Sequence, residues 1–449
     1  MKSASVLAID IGTSSVRTAL FDLSGRRQIP STAQQTYSVR YTADGGAELD
    51  PRTLRAATHR CIRQTLTHLR GSIQAVGTAC FWHSVLGTDS HGQPLTPIYT
   101  WADARCRSQA RQLRAKYSER RYHAQTGCML RTTYWPAKLR WLKKIRAAHW
   151  LAPVDWLTGA PHTSISMASG TGLYDLANHD WLDWAPRHKL LPIADTPFQC
   201  PIFPELAGVP WFPAIGDGAA GNLGSDATQS GIAAINFGTS AAVRVLNQAT
   251  RTPFGFFRYQ VDQNRQLIGG AISNAGNLWD WCRREFRSPI PPPRPPVGLT
   301  VLPFWVDERA PTWPEDRRGI IADITLGTTA QDLFQAITNA TFYRLAEVAS
   351  RLPAHEFVVS GGLAKSRVDL QRLADVLGVP VRVCIEPEAS LRGAAVYALE
   401  KLGARIPALP RGLTLQPRLR FTLQHAVARR RQIQLERSQG DQPPRLGFH

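Results

Sequence analysis

Two copies of one short pattern, about half the chain apart, restrict this sequence more than any other feature. In Val6-Leu7-Ala8-Ile9-Asp10-Ile11-Gly12-Thr13-Ser14-Ser15-Val16-Arg17 an apolar run enters a Gly-Thr-Ser turn and the chain returns as apolar residues, and Ile235-Asn236-Phe237-Gly238-Thr239-Ser240-Ala241 repeats the plan. Such runs around a glycine-hydroxyl turn predict a strand-turn-strand hairpin. Between the copies lies Gly216-Asp217-Gly218-Ala219-Ala220-Gly221-Asn222, a single carboxylate in a glycine-rich stretch. Glycine reaches backbone angles closed to other residues, and the hydroxyls and freed amides beside it can converge on anionic oxygens. One glycine-hydroxyl turn after a strand is ordinarily just a turn. The repeat, with the isolated aspartate between its copies, points instead to backbone built for phosphate.

The 449 residues, 43% of them hydrophobic, supply material for more than one buried core. The start, Met1-Lys2-Ser3-Ala4-Ser5, leads into a strand-like run without an apolar export segment, and no stretch approaches the about 18 consecutive apolar residues of a membrane span. Cytoplasmic residence and no membrane partner are the expectation. The seven cysteines are scattered, odd in number and never spaced C-x-x-C, so reduced thiols are predicted rather than a disulfide framework or a zinc site. A net charge of +19 favours anionic partners. The basic residues are spread along the chain, densest at 105–121, 138–146 and 411–437, without the interleaved aromatics of a stacking platform. That distribution argues against a nucleic-acid arm and for an arginine-rich solvated surface or a preference for small anions.

Strand signals cover Val6 to Ile11, Arg17 to Phe21 and Ile73 to Cys80, the last ending at Phe81-Trp82-His83. Strand ends are where open α/β sheets present ligand-facing groups, which draws attention to His83, although a lone histidine is more often structural. Helical patterns run over Pro51 to Arg70, Ala104 to Tyr122, Pro136 to Trp150 and Gln331 to Leu352, with another from Ser366 to Leu377 stopped by Gly378. The strand-turn-strand plan restarts at Gly231, which places a domain boundary around Ser225 to Ser230. We expect domains at 1–228 and 229–415, then a basic tail over 416–449 that is partly frayed. The proline-rich stretch 288–296 reads as a stiff connector.

The motifs resemble, in order, those of the FGGY carbohydrate kinase family of the actin-like ATPase superfamily. Asp10 to Arg17 resembles the first phosphate motif, Gly216-Asp217-Gly218-Ala219-Ala220 the catalytic-aspartate motif, and Phe237-Gly238-Thr239-Ser240 the second phosphate motif. Ser360-Gly361-Gly362-Leu363-Ala364-Lys365-Ser366, with Leu373 to Gly378 and Glu388 to Ala395 behind it, resembles the adenosine motif. The resemblance spans Val6 to about Leu402. Within the family, Trp82 to Gly87, Thr100 to Arg105, Ser169 to Asp175 and Gly269 to Asn277 look most like gluconokinases.

The resemblance implies an α/β fold of two ribonuclease-H-like domains with an interdomain cleft, the first binding sugar and the second ATP. It implies ATP and Mg²⁺ as cofactors and phosphorylation of a small sugar acid or polyol, gluconate first. A xylulose-, ribulose- or glycerol-type kinase and a non-catalytic sugar or nucleotide sensor are the alternatives. Other expected partners are a second copy of the chain and no nucleic acid. Asp217 is the expected general base, bordered by glycines so that substrate can approach, and Asp10 the expected Mg²⁺ ligand. Thr13, Ser14 and Arg17 would meet the transferred phosphoryl group, and Gly238 and Thr239 the β- and γ-phosphates. Gly361, Gly362 and Ser366 would border adenosine, with Gly276 and Asn277 opposite. His83, Trp101, Asp103 and Arg105 are the sugar candidates, since a guanidinium forks onto a carboxylate. The stretch Trp101 to Arg105 reads equally well as an internal ion-pair latch. Trp82 and Asp307 depart from the family's usual residues.

Overall fold

A computed structural model describes residues 3–247, 251–287 and 295–439. Most of the proline-rich stretch therefore lies outside the described residues. The chain packs as two compact units, the first drawn from Met1–Thr228, Leu246–Ile268 and Glu388–Leu409, the second from Gln229–Val245, Gly269–Pro387 and Pro410–His449.

In the first unit the main sheet runs in the order Phe198–Gln199, Pro210–Trp211, Gly71–Cys80, Ser3–Ile11, Ser15–Asp22, Ala33–Thr36, with Ile215–Gly216 also paired to Gly71–Cys80. Val6 to Ile9 are at most 1% exposed, as a central strand covered on both faces requires. The helix Ala389–Lys401 lies on this sheet and against the helix Asp217–Gly224. Backbone meets backbone there: a Cβ at Gly224 would stand 1.7 Å from the Ala389 carbonyl oxygen. That contact is why residues 388–409 pack here, although a single cut at 228 to 229 would assign them to the other unit.

The second unit contains, in sheet order, Ala241–Asn247, Gly231–Phe237, Ala354–Gly361, Val381–Val383 and Thr414–Leu415. The sequence repeat is a structural repeat. Ser3–Ile11 pairs antiparallel with Ser15–Asp22 and parallel with Gly71–Cys80, with a register shift at Ser5/Val6. Gly231–Phe237 pairs antiparallel with Ala241–Asn247 and parallel with Ala354–Gly361, with a shift at Gly231/Ile232.

Two expectations are corrected. The helix expected over Pro136 to Trp150 spans only Trp135–Trp141, because His149–Leu151 pairs instead with Leu86–Thr88. The helix expected from Ala104 to Tyr122 is two, Arg107–Lys116 and Glu119–Thr126, the second capped by the Ser118 hydroxyl. Within the tail expected over 416–449, Leu419–Ser438 forms one helix, and the residues from 440 on lie outside the described ones. Glu436 anchors the helix by accepting from Arg344 Nη1 at 2.8 Å and Thr312 Oγ1 at 2.6 Å.

Part of the basic excess is internal. Arg344 is fully buried between Glu347 and Glu436, and Arg392, 2% exposed, donates to the Gly224 carbonyl at 3.0 Å. All seven cysteines are free and buried. No helix among the described residues is long and apolar enough to cross a membrane.

Candidate active site

The first unit assembles its candidates at one end of its central strands. Asp10 stands opposite Arg17 across the hairpin, and Gly12 N donates to Ser15 O at 2.9 Å to close the turn. Tyr37 braces that turn, its hydroxyl donating to Gly12 O at 2.5 Å and its amide to Ser14 O at 3.0 Å. Thr13 Oγ1 accepts from Trp101 Nε1 at 3.4 Å. Ser14 is exposed.

Gly71–Cys80 carries both carboxylates to the same level. Cys80 faces Ile11 on one side and Gly216 on the other, so Asp217 emerges beside the end of the first strand. Asp217 is half-buried at the first position of its helix and accepts from Gly218 N at 2.8 Å. Burial pushes the Asp10 carboxyl up to about 7; Arg17 pulls the other way, while the Asp217 and Glu388 carboxylates add to the rise. Asp10 is 7% exposed, and no side-chain hydrogen bond reaches its carboxylate among the described residues. A buried carboxylate without a donor, beside a second carboxylate, fits a hard divalent cation that takes its remaining ligands from phosphate and water.

His83 follows that strand with φ of 70°, a strained setting for a non-glycine residue. Its Nδ1 lies 2.5 Å from Gly170 O, and its ring meets Tyr134 edge-on at 5.0 Å between centroids. The Tyr134 and Tyr259 hydroxyls are 2.7 Å apart, and Trp82 stands 4.8 Å from Tyr259. His83 thus belongs to a wall of four aromatic rings.

Asp103 and Arg105 are joined to each other. Arg105 Nη2 lies 2.5 Å from Asp103 and 2.7 Å from Glu48, and Asp103, 1% exposed, also accepts from Ala47 N at 3.0 Å. The guanidinium sits 4.8 Å from the Trp141 ring center. This is the geometry of the latch, with two carboxylates holding one guanidinium.

The second unit brings three glycine segments together. Gly276 N donates to Gly238 O at 3.0 Å and Asn277 N to Thr239 O at 3.2 Å. A Cβ at Gly276 would stand 2.4 Å from Gly238 O, so only glycine admits this approach. Gly361, at φ of 85°, lies opposite Phe237, and its Cβ would be 2.8 Å from the Phe237 carbonyl oxygen. Gly238, Thr239, Gly361 and Gly362 are all exposed. Asn277 Oδ1 accepts from Ala275 N at 2.7 Å. Ser366 caps the helix Arg367–Leu377, its hydroxyl donating to Asp369 at 2.6 Å.

In the first unit a glycine turn beside a pair of carboxylates suits the electrostatic needs of phosphoryl transfer, and the second unit by itself repeats such a turn beside a glycine-lined strand end. Residues 5–208 match the model of the FGGY family of carbohydrate kinases, N-terminal domain, and residues 233–400 that of the C-terminal domain.

The chain belongs to the FGGY family of carbohydrate kinases.

A gluconokinase from Bacillus subtilis (strain 168) is 28% identical to this FGGY kinase, over 89% of the chain and 88% of the relative. Among solved structures, a ligand-bound xylulose kinase from Lactobacillus acidophilus superposes with a TM-score of 0.88 at 21% identity, covering 98% and 99% of the two chains. Plasmodium falciparum glycerol kinase with ADP follows with a TM-score of 0.81 at 19% identity, covering 97% and 98%. The two sheet-rich units therefore have the fold of FGGY kinases.

Sequence reasoning missed four groups at this kinase's site. Glu388 was read only as part of the adenosine-motif stretch; it sits in the first unit, with Arg17 Nη1 2.7 Å from its carboxylate. Tyr37, Tyr134 and Tyr259 carried no local signal, since they join the site only through long-range contacts. One expectation changes its physical basis. The space beside Gly216 does not lie open for substrate, because the Trp82 indole fills it. The departure at Asp307 falls on an exposed position, while its neighbor Glu308 is buried and accepts from Asn274 Nδ2 at 3.0 Å and Arg309 N at 2.8 Å.

Proposed function

We propose that this FGGY kinase uses ATP and Mg²⁺ to phosphorylate a hydroxyl of a small sugar acid or polyol, with gluconate the first substrate. The observation that carries the reading is the pair of neighboring carboxylates, Asp10 and Asp217, at one strand end beside the Thr13 turn. In this reading Asp217 takes the proton from the attacking sugar hydroxyl. Arg17, steadied by Glu388, and the Gly12 to Ser14 turn face the charge on the transferred group. Gly238 and Thr239 hold the β- and γ-phosphates with Gly276 and Asn277 behind them, and Gly361, Gly362 and Ser366 border the adenosine. Mg²⁺ held by Asp10 would screen the phosphate oxygens. His83, Trp101 and the rings around His83 would pack on the C–H faces of the sugar chain. Gluconate is supported by the gluconokinase relative and by the stretches around Trp82, Trp101, Gly170 and Gly270.

A neutral ketose or polyol of the xylulose or glycerol type is the second reading. It is favored by the pairing of Arg105 with Asp103 and Glu48, which occupies donors that a substrate carboxylate would need. ADP release across gluconate, xylulose, ribulose and glycerol, with and without Mg²⁺, separates the readings. Gluconate should stimulate release most, and only with the cation. Stimulation by xylulose or glycerol alone would install the second reading, and stimulation by none would remove both. Asp217→Asn should lower kcat by about 10²–10⁴-fold, the usual contribution of a general base; turnover near normal would end the assignment.

A further inference from the structure

The Trp82 indole lies against two glycines, one of them next to Asp217. Gly216 has φ of −66° and ψ of 147°, an extended conformation open to any residue. Its lack of a side chain has another cause. A Cβ at Gly216 would stand 1.8, 2.1 and 2.2 Å from Cε2, Cζ2 and Cδ2 of Trp82, all three nearest atoms coming from that indole. The pyrrole edge also crowds Gly170, where a Cβ would lie 2.4 Å from Trp82 Cδ1. Gly170, at φ −79° and ψ −6°, is likewise in a conformation that alanine adopts. Two glycines that the backbone does not require are thus both explained by one ring.

Ser166 ties that ring to the Gly216 peptide. Trp82 Nε1 donates to Ser166 O at 2.9 Å, and Gly216 N donates to Ser166 Oγ at 3.1 Å. Trp82 is 4% exposed and Ser166 fully buried. The peptide held in this way is the one that leads directly into Asp217.

We propose that Trp82 is a positioning residue for the phosphoryl transfer: with Ser166 it sets where the Gly216 peptide lies and so aims the Asp217 carboxylate. Trp82 and Gly216 are then a matched pair, each tolerated because of the other. The proposal rests on Asp217 being the general base.

The experiment is a double-mutant cycle on the full chain, with kcat, the KM for ATP and the melting temperature measured for wild type, Gly216→Ala, Trp82→Leu and the double variant. Gly216→Ala pushes the indole and the peptide apart, and a displacement of about 1 Å at a catalytic group costs about 100-fold in kcat. The KM for ATP should stay within about twofold, since neither Trp82 nor Gly216 is among the residues proposed to hold the nucleotide. Adding Trp82→Leu should restore kcat by about tenfold or more over Gly216→Ala alone, the non-additivity expected of residues in contact. Wild-type kcat in Gly216→Ala, or simply additive losses in proteins that melt alike, would overturn the proposal. If Gly216→Ala does not fold, Trp82→Leu alone decides. It should lower kcat without moving the KM for ATP and be partly rescued by Trp82→Phe; equal kcat in Trp82→Leu and wild type would refute the aiming role. Asp217→Asn separates the two layers. Full turnover in Asp217→Asn removes the base and the aiming role with it, whereas an inactive Asp217→Asn with no kinetic coupling between positions 82 and 216 removes the aiming role only.

Discussion

Replacing Asp10 by Asn should stabilize the ligand-free protein while abolishing its kinase activity, and the stabilization should depend on pH. Burial raises the Asp10 carboxyl from 3.8 to about 7. At pH values below about 4 the folded and unfolded chains both carry this proton, so ionization adds nothing to the difference between them. Between about 4 and 7 the unfolded chain has released it and the folded chain has kept it, so stability falls as pH rises. Above about 7 both are ionized and the penalty is complete. The shift of about 3 pH units corresponds to a penalty on the order of 4 kcal/mol. Asn removes the charge, keeps the shape and escapes the penalty. Urea unfolding of both proteins without nucleotide or metal, at pH 5 and pH 8, measures it. At pH 5 the unfolded carboxyl is already mostly ionized and roughly a third of the penalty is in force, so the variant should gain on the wild type by about 2.5 kcal/mol more at pH 8 than at pH 5. Taking the difference between the two proteins cancels other buried carboxyls such as Asp155, which burial also raises to about 7. Mg²⁺ with ADP should stabilize the wild type and have little effect on the variant, because ligand that binds only the folded state adds stability. A gain that does not change with pH, or a variant less stable than the wild type at pH 8, would refute the reasoning.

Glu388→Gln should lower the apparent pKa of Asp10, because the Glu388 carboxylate adds to its rise; the acid limb of kcat against pH should move down, and an unmoved limb would contradict the coupling. Gly276→Ala places a methyl 2.4 Å from Gly238 O, so the KM for ATP should rise by about tenfold or more with the sugar KM unchanged; a normal ATP KM would free the segment of its nucleotide role. Arg105→Ala leaves Asp103 and Glu48, 1% and 6% exposed, without their shared cation. Stability should drop by about 3–5 kcal/mol, seen as a lower urea midpoint, and a stable variant with altered sugar KM would favor a direct substrate role instead.

The duplicated hairpins were legible because everything that makes them is local. An apolar run long enough for a strand, a glycine where the chain must turn and hydroxyls beside it all lie within a few residues, once before Val16 and again before Ala241. Asp217 was legible for the same reason, as one acidic residue among glycines. The rest of the helix boundaries were decided by partners. Leu86–Thr88 turns the residues after Trp141 away from helix and into a strand, and Arg344 holds the polar end of the last helix through Glu436.

Chemistry that depends on a distant partner was decided by the folded chain alone. Glu388 is 371 residues from Arg17 in sequence and 2.7 Å away in the structure, and no periodicity connects them. Arg105 read equally well as a carboxylate fork or a latch until Glu48 was placed beside it. The glycine at 216 looked like room for substrate until an indole was found in that room. Local pattern determines strand, turn and the types of group available, because backbone sterics and side-chain alternation act between near neighbors. Burial, desolvation and ion pairing act between groups that only packing brings together, so the pKa of Asp10, the pairing of Arg105 and the placement of Trp82 were fixed by tertiary structure.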